Sequence, residues 1–133
     1  MRVVFADTFY WIALTLPGDV AYARAQLVTD DVLTTEEVLT EYLTFFSSAP
    51  EYLRREVTAN VEAILIDPGV RVIPQSHASF VAGFELYRAR PDKGYSLVDC
   101  ISMQTMRRLG LTEVLTNDRH FEQEGFRALF RDS

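Results

Sequence analysis

Apolar residues along this chain fall into short continuous runs and longer stretches at helical spacing, and these two periods set out alternating strands and helices. Val3-Val4-Phe5-Ala6 is an unbroken apolar run, the pattern of a strand buried on both faces of a parallel sheet. Phe9 to Leu16 continue as an apolar helix that Pro17-Gly18-Asp19 stops. A second helix is expected from Val20 to Val28, and Val32-Leu33 makes a brief second strand. Thr34 and Glu37 stand at a capping-box spacing, so a helix begins there and runs to about Ser47. Within it Val38, Leu39, Tyr42, Leu43, Phe45 and Phe46 share one broad face, Glu41 falls beside that stripe, and Glu37 points away. Pro50 breaks the chain, Glu51 to Leu65 form a further helix, and Asp67-Pro68-Gly69 turns into a third strand from Val70 to Ile73. Ser76 caps the next helix, which carries Phe80, Val81, Phe84 and Tyr87 and ends near Arg90.

The stretch from Tyr95 to Phe121 organises the rest. Ser96 and Asp99 form a second capping-box spacing, which starts a helix and puts Asp99 in its first turn. Leu97, Val98, Cys100, Ile101, Met103, Met106 and Leu109 surround that helix, so it is expected to be buried on most sides. Gly110 closes it in the left-handed conformation that glycine takes cheaply. Glu113 to Thr116 reads as a strand with Asp118 just past its carboxyl end. After a short helical turn, Ala128-Leu129-Phe130 is the expected last edge strand. Five strands separated by helices predict a three-layer α/β/α sandwich around a five-stranded parallel sheet. An all-α arm over residues 35–65 lies between strands two and three, and residues 1–133 read as one domain.

Composition narrows the functional classes. A 48% hydrophobic content fits an ordinary soluble globule, and no apolar run reaches the length of a membrane span. The N-terminus does not read as a signal peptide, so the expected compartment is the cytoplasm. A single Cys, Cys100, excludes an intrachain disulfide framework and a Cys-rich zinc site. With 19 acidic against 13 basic residues the net charge is −6, which opposes nucleic acid through the overall field but suits a cation or a basic protein partner.

Four acids sit where chemistry is expected in an open α/β fold, at the rim of the sheet's carboxyl edge. Asp7 follows the first strand, Asp99 opens a helix, Asp118 follows the fourth strand, and Glu41 lies past the reach of its helix cap. Each has a structural alternative: Asp7 as an N-cap, Asp99 as the capping-box acid, Asp118 as a cap or turn residue, Glu41 as a solvated surface charge. Together they would repel unless protonated or bound to a cation, and oxygen ligands select hard ions such as Mg²⁺ or Mn²⁺. His77 and His120 are the only histidines, and no spacing makes them a zinc pair. His120 is expected at the surface or packed beside Phe121.

These motifs resemble those of PIN-domain ribonucleases, and most nearly the toxins of VapBC-type toxin–antitoxin pairs. The matching pieces are Val-Phe-Ala-Asp7-Thr8, Glu41 in Glu-Val-Leu-Thr-Glu-Tyr, Ser96-Leu-Val-Asp99, and Leu-Thr116-Asn117-Asp118-Arg-His-Phe121. Phe9 departs from the pattern, since relatives often carry a small polar residue there. The resemblance implies Mg²⁺- or Mn²⁺-dependent endoribonuclease cleavage blocked by a cognate antitoxin, and in-line attack by a metal-activated hydroxide would leave 5′-phosphate and 3′-hydroxyl ends. It implies Asp7, Glu41 and Asp99 as core metal ligands and Asp118 as the fourth acid. Thr8 and Thr116 would be polar supports, and Asn117 would orient water or a ligand. It further implies a homodimer, with the arm over residues 35–65 receiving the antitoxin. Arg88, Arg90 and Lys93 precede the Asp99 helix and are the first candidates to hold an RNA backbone. Two other readings stand beside this one. A catalytically silent PIN module would only bind partners. A phosphoacceptor receiver domain needs an acceptor Asp after strand three, where this chain has Pro74-Gln75, and a Lys after strand five, where the only lysine is the loop residue Lys93.

Overall fold

The computed structural model describes residues 2–131. Five strands, β1 (Val3–Ala6), β2 (Asp31–Thr35), β3 (Val70–Ile73), β4 (Glu113–Leu115) and β5 (Arg127–Ala128), form one sheet in the order β3-β2-β1-β4-β5. All four pairings are parallel. β1 is central, and Val4, Phe5 and Ala6 are fully buried, as an apolar run with no polar face requires. The connections run through α1 (Thr8–Thr15) and α2 (Tyr22–Ala25), α3 (Glu36–Phe45) and α4 (Glu51–Ile66), α5 (His77–Ala89) and α6 (Leu97–Leu109), and α7 (Arg119–Gln123). Helices flank the sheet as the alternation predicts, and α3 and α4 form the expected arm between β2 and β3. Strand order removes the receiver reading, because that fold runs 2-1-3-4-5.

Local signals place most boundaries, and long-range pairing moves the others. β2 extends through Thr35 because Thr34 and Thr35 pair with Val72 and Ile73. The α3 cap is therefore Thr35, whose side chain accepts from the Val38 amide, and not Thr34. Thr34 instead donates from the sheet interior to the Ala6 carbonyl at 2.9 Å. The expected second helix shrinks to one turn, leaving Val20 and Leu27 exposed. β5 ends at Ala128, short of Phe130. On α3 the buried face is narrower than expected: Val38, Leu39, Tyr42 and Phe46 enter the core while Leu43 and Phe45 stay exposed.

α6 is wrapped as its pattern predicts, with Cys100, Ile101, Met103 and Met106 buried and Gly110 closing it at φ 72°. α5 packs on it through Gly83, where a Cβ would meet Ile101 Cγ1 at 2.3 Å. The buried edge of α5 is Gly83 and Leu86, while Phe80, Phe84 and Tyr87 are exposed. Among the described residues no helix is long and apolar enough to cross a membrane.

Candidate active site

A helix that feeds a parallel strand must start at the sheet's carboxyl edge, which places the α6 N-terminus beside the ends of β1 and β4. The strand order reverses direction between those two strands, and open α/β sheets have their crevice at that switch point. Asp7, Glu41, Asp99 and Asp118 all line the cleft found there, about 610 Å³ in volume. The structure therefore brings all four predicted acids to one place.

Asp7 sits at the N-cap position of α1, yet its side chain makes no capping hydrogen bond. Its Oδ2 instead accepts from Thr116 Oγ1 at 2.9 Å across the β1–β4 boundary. Thr116 Oγ1 also accepts from the Asp118 amide at 3.2 Å, so one buried hydroxyl ties two of the acids together. Thr8 Oγ1 donates to Glu41, which fixes the α3 carboxylate against the start of α1. Asp99 does serve its capping box, accepting from the Ser96 amide at 3.2 Å, while the carboxylate also faces the cleft. For Asp99 the capping role leaves the carboxylate lining the cleft. Asp118 caps α7 by accepting from the His120 amide at 2.9 Å. Asn117 is exposed at the rim.

Electrostatics record the crowding. Burial, with like charge from Asp99 and Glu41, pushes the Asp7 carboxyl up to about 7 against hydrogen bonds from Thr116 and the Thr8 amide. Asp99 is raised too, first by burial, with Asp118 and Glu41 adding to it and the Ser96 amide opposing. Cys100, next in the chain, is no nucleophile: burial pushes its thiol up to about 11.

The basic residues fall differently from expectation. Arg90 and Arg107 both grip Glu124 at 2.8 Å, and Tyr95 Oη donates to the same carboxylate at 2.9 Å. Lys93 lies 3.7 Å from Asp92, and Arg88 covers the Phe84 ring. None of Arg88, Arg90 and Lys93 lines the cleft; Arg119 and Arg131 do. Phe9, Ile12 and Phe45 form an apolar lip beside the acids, and Phe9 packs edge-on against Phe130.

His120, expected at the surface or packed beside Phe121, is half-buried and faces two of the acids. Its ring stands edge-on to Tyr95, 5.1 Å between centroids, and Nδ1 lies 3.3 Å from Asp118 Oδ1 and 3.9 Å from Asp99 Oδ2. That nitrogen is sheltered from solvent and has no hydrogen-bond partner. Among the described residues Asp99, Asp118 and His120 form the group whose donor atoms all lie within 4.8 Å, the spacing of ligands to a common ion. Oxygen donors, an orphaned nitrogen and a carboxyl raised by burial and neighbouring acids make a donor set that suits a divalent cation.

Residues 4–126 match the model of the PIN domain, and the chain belongs to that family. Within the family the fold is similar to the crystal structure of VapC20 from Mycobacterium tuberculosis, a toxin that cleaves the sarcin–ricin loop. The TM-score is 0.82 at 26% sequence identity, covering 94% of this chain and 96% of that one. No curated protein matches the chain. The resemblance read from the four acidic motifs is thereby borne out, together with the fold it implied.

Proposed function

We propose that this chain is a VapC-type toxin, an endoribonuclease that hydrolyses RNA phosphodiesters with Mg²⁺ or Mn²⁺ held by Asp7, Glu41, Asp99 and Asp118. The observation that carries the reading is the meeting of four carboxylates from separate elements at the β1–β4 switch point, with one carboxyl pushed up to about 7. A divalent ion held by these residues would supply an activated water and offset negative charge on the phosphate. Thr116 holds Asp7 and the Asp118 backbone in register, and Thr8 holds Glu41. Asn117, exposed at the rim, is placed to orient water or a ribose hydroxyl. Arg119 and Arg131 supply positive charge beside an acidic cleft, and we assign the flanking phosphates to them. That assignment replaces Arg88, Arg90 and Lys93, which stand outside the cleft; Arg131 is paired with Glu122 at 2.8 Å, as Arg90 is with Glu124, but it lines the cleft.

A cognate antitoxin fits the apolar lip of Phe9, Ile12 and exposed Phe45, from which a basic segment reaches the acids. A second copy of the chain fits the outer face of α5, where Phe80 and Phe84 stack in the open. The deciding experiment incubates the purified chain with RNA, including the sarcin–ricin stem-loop that VapC20 cleaves, with Mn²⁺, with Mg²⁺ and with excess EDTA. New 5′-phosphate ends in the presence of metal, absent in EDTA and lost in Asp99→Asn, are expected. Cleavage that persists in EDTA, or at full rate in Asp99→Asn, overturns the assignment.

A further inference from the structure

We propose that His120, through Nδ1, is a nitrogen ligand of the cation held by Asp99 and Asp118, and that it biases the centre toward Mn²⁺ over Mg²⁺. This rests on the reading that the acidic cleft holds a divalent ion.

The geometry is already that of a ligand set. Around a six-coordinate ion with bonds of about 2.1 Å, adjacent donors stand about 3.0 Å apart and opposite donors about 4.2 Å. Nδ1 is 3.3 Å from Asp118 Oδ1 and 3.9 Å from Asp99 Oδ2, between those limits, and the three donors fall within 4.8 Å of one another. A plain hydrogen bond to Asp118 is the competing account. It is the weaker one, because Nδ1 has no partner with hydrogen-bond geometry although it is sheltered from solvent. Asp118 Oδ1 is meanwhile used by the His120 amide, so the first turn of α7 wraps backbone and imidazole around one carboxylate.

The ring is also held in place. Tyr95 stands edge-on against it, and the Tyr95 hydroxyl is anchored on Glu124, itself gripped by Arg90 and Arg107. A hub of four residues thus fixes the imidazole plane, the support that metal-binding histidines ordinarily receive from their surroundings. Imidazole suits transition ions, whereas Mg²⁺ prefers oxygen and keeps its waters, so a fixed nitrogen favours Mn²⁺.

The test is pulsed electron paramagnetic resonance of Mn²⁺ bound to the full chain, prepared with natural-abundance and with ¹⁵N-histidine. A directly bound imidazole signal that changes with the isotope is expected, lost in His120→Gln and kept in His77→Gln, the exposed histidine at the start of α5. Titration calorimetry is expected to show Mn²⁺ affinity about tenfold lower in His120→Gln, with Mg²⁺ affinity changed less than about twofold. Tightly bound Mn²⁺ with no histidine coupling in the wild-type chain overturns the ligand assignment and leaves the acidic metal site standing. Failure of the wild type to bind Mn²⁺ at all overturns both. The isotope comparison needs no variant, so a folding defect in His120→Gln leaves the proposal open to refutation.

Discussion

Replacing Asp7 with asparagine removes a charge that the fold tolerates poorly unless a cation offsets it. The carboxyl rises from an ordinary 3.8 to about 7 in the folded chain, chiefly through burial at the end of the central strand. The folded state therefore holds a proton that the unfolded state has released, so stability is greatest at low pH and falls as pH rises from about 4 through 7. Full titration across that shift corresponds to roughly 4 kcal/mol, of which about 2–3 kcal/mol is lost between pH 5 and pH 7.5. The asparagine carries no charge and keeps an acceptor for Thr116. Urea denaturation in EDTA at the two pH values is then expected to show the wild type weakening by about 2–3 kcal/mol. Asp7→Asn is expected to weaken much less, with only the slope left by Asp99, and to exceed the wild type at pH 7.5 by about 2 kcal/mol or more. Saturating Mn²⁺ should reverse the order, because it stabilises the chain that binds it. Wild-type stability that stays level or rises between pH 5 and pH 7.5 in EDTA, with no gain in Asp7→Asn, refutes the reasoning.

Three further outcomes concern other parts of the molecule. Gly83→Ala drives a methyl to within 2.3 Å of Ile101 Cγ1 and 3.0 Å of its backbone, so a loss of about 1–3 kcal/mol is expected in the same denaturation assay. Glu124 is the opposite case to Asp7: burial alone would raise its carboxyl, but Arg90, Arg107 and Tyr95 hold it at about 2. Its contribution is present above its ordinary 4.5 and fades as pH falls toward 2, so Glu124→Gln should cost about 2 kcal/mol at pH 7 and progressively less in acid. Phe84→Glu puts a charge on the exposed α5 face; if a second copy docks there, light scattering should show monomer in place of dimer, with the fold unchanged by circular dichroism.

What is legible in the sequence and what is hidden divide along the range of the interactions involved. β1, α6, the Ser96–Asp99 box and the Gly110 stop are written in neighbouring residues, through an apolar run, a helical period and a cap, and all stand where those signals put them. The motifs also name the four acids that meet in the cleft. Thr34 mimics the α3 cap because its true role, inside β2, depends on pairing with Val72 across the sheet. The exposure of the α5 aromatics is not legible either, because the edge of α5 that is buried is set by its packing at Gly83 and Leu86, not by its apolar periodicity. His120 carries no local signal because its neighbours Asp99 and Tyr95 reach it only after folding. Arg90 looks available in the sequence, and only the fold brings Glu124 beneath it.

The cleft draws its acids from the β1–α1 junction, α3, α6 and the β4–α7 turn, so no contiguous piece of the chain holds all four. Asp7 and Asp118 stand toward opposite ends of the fold's chain path, on either side of the elements that carry Glu41 and Asp99. Any chemistry the cleft performs therefore waits on the crossover that brings the β4–α7 turn beside β1, α3 and α6.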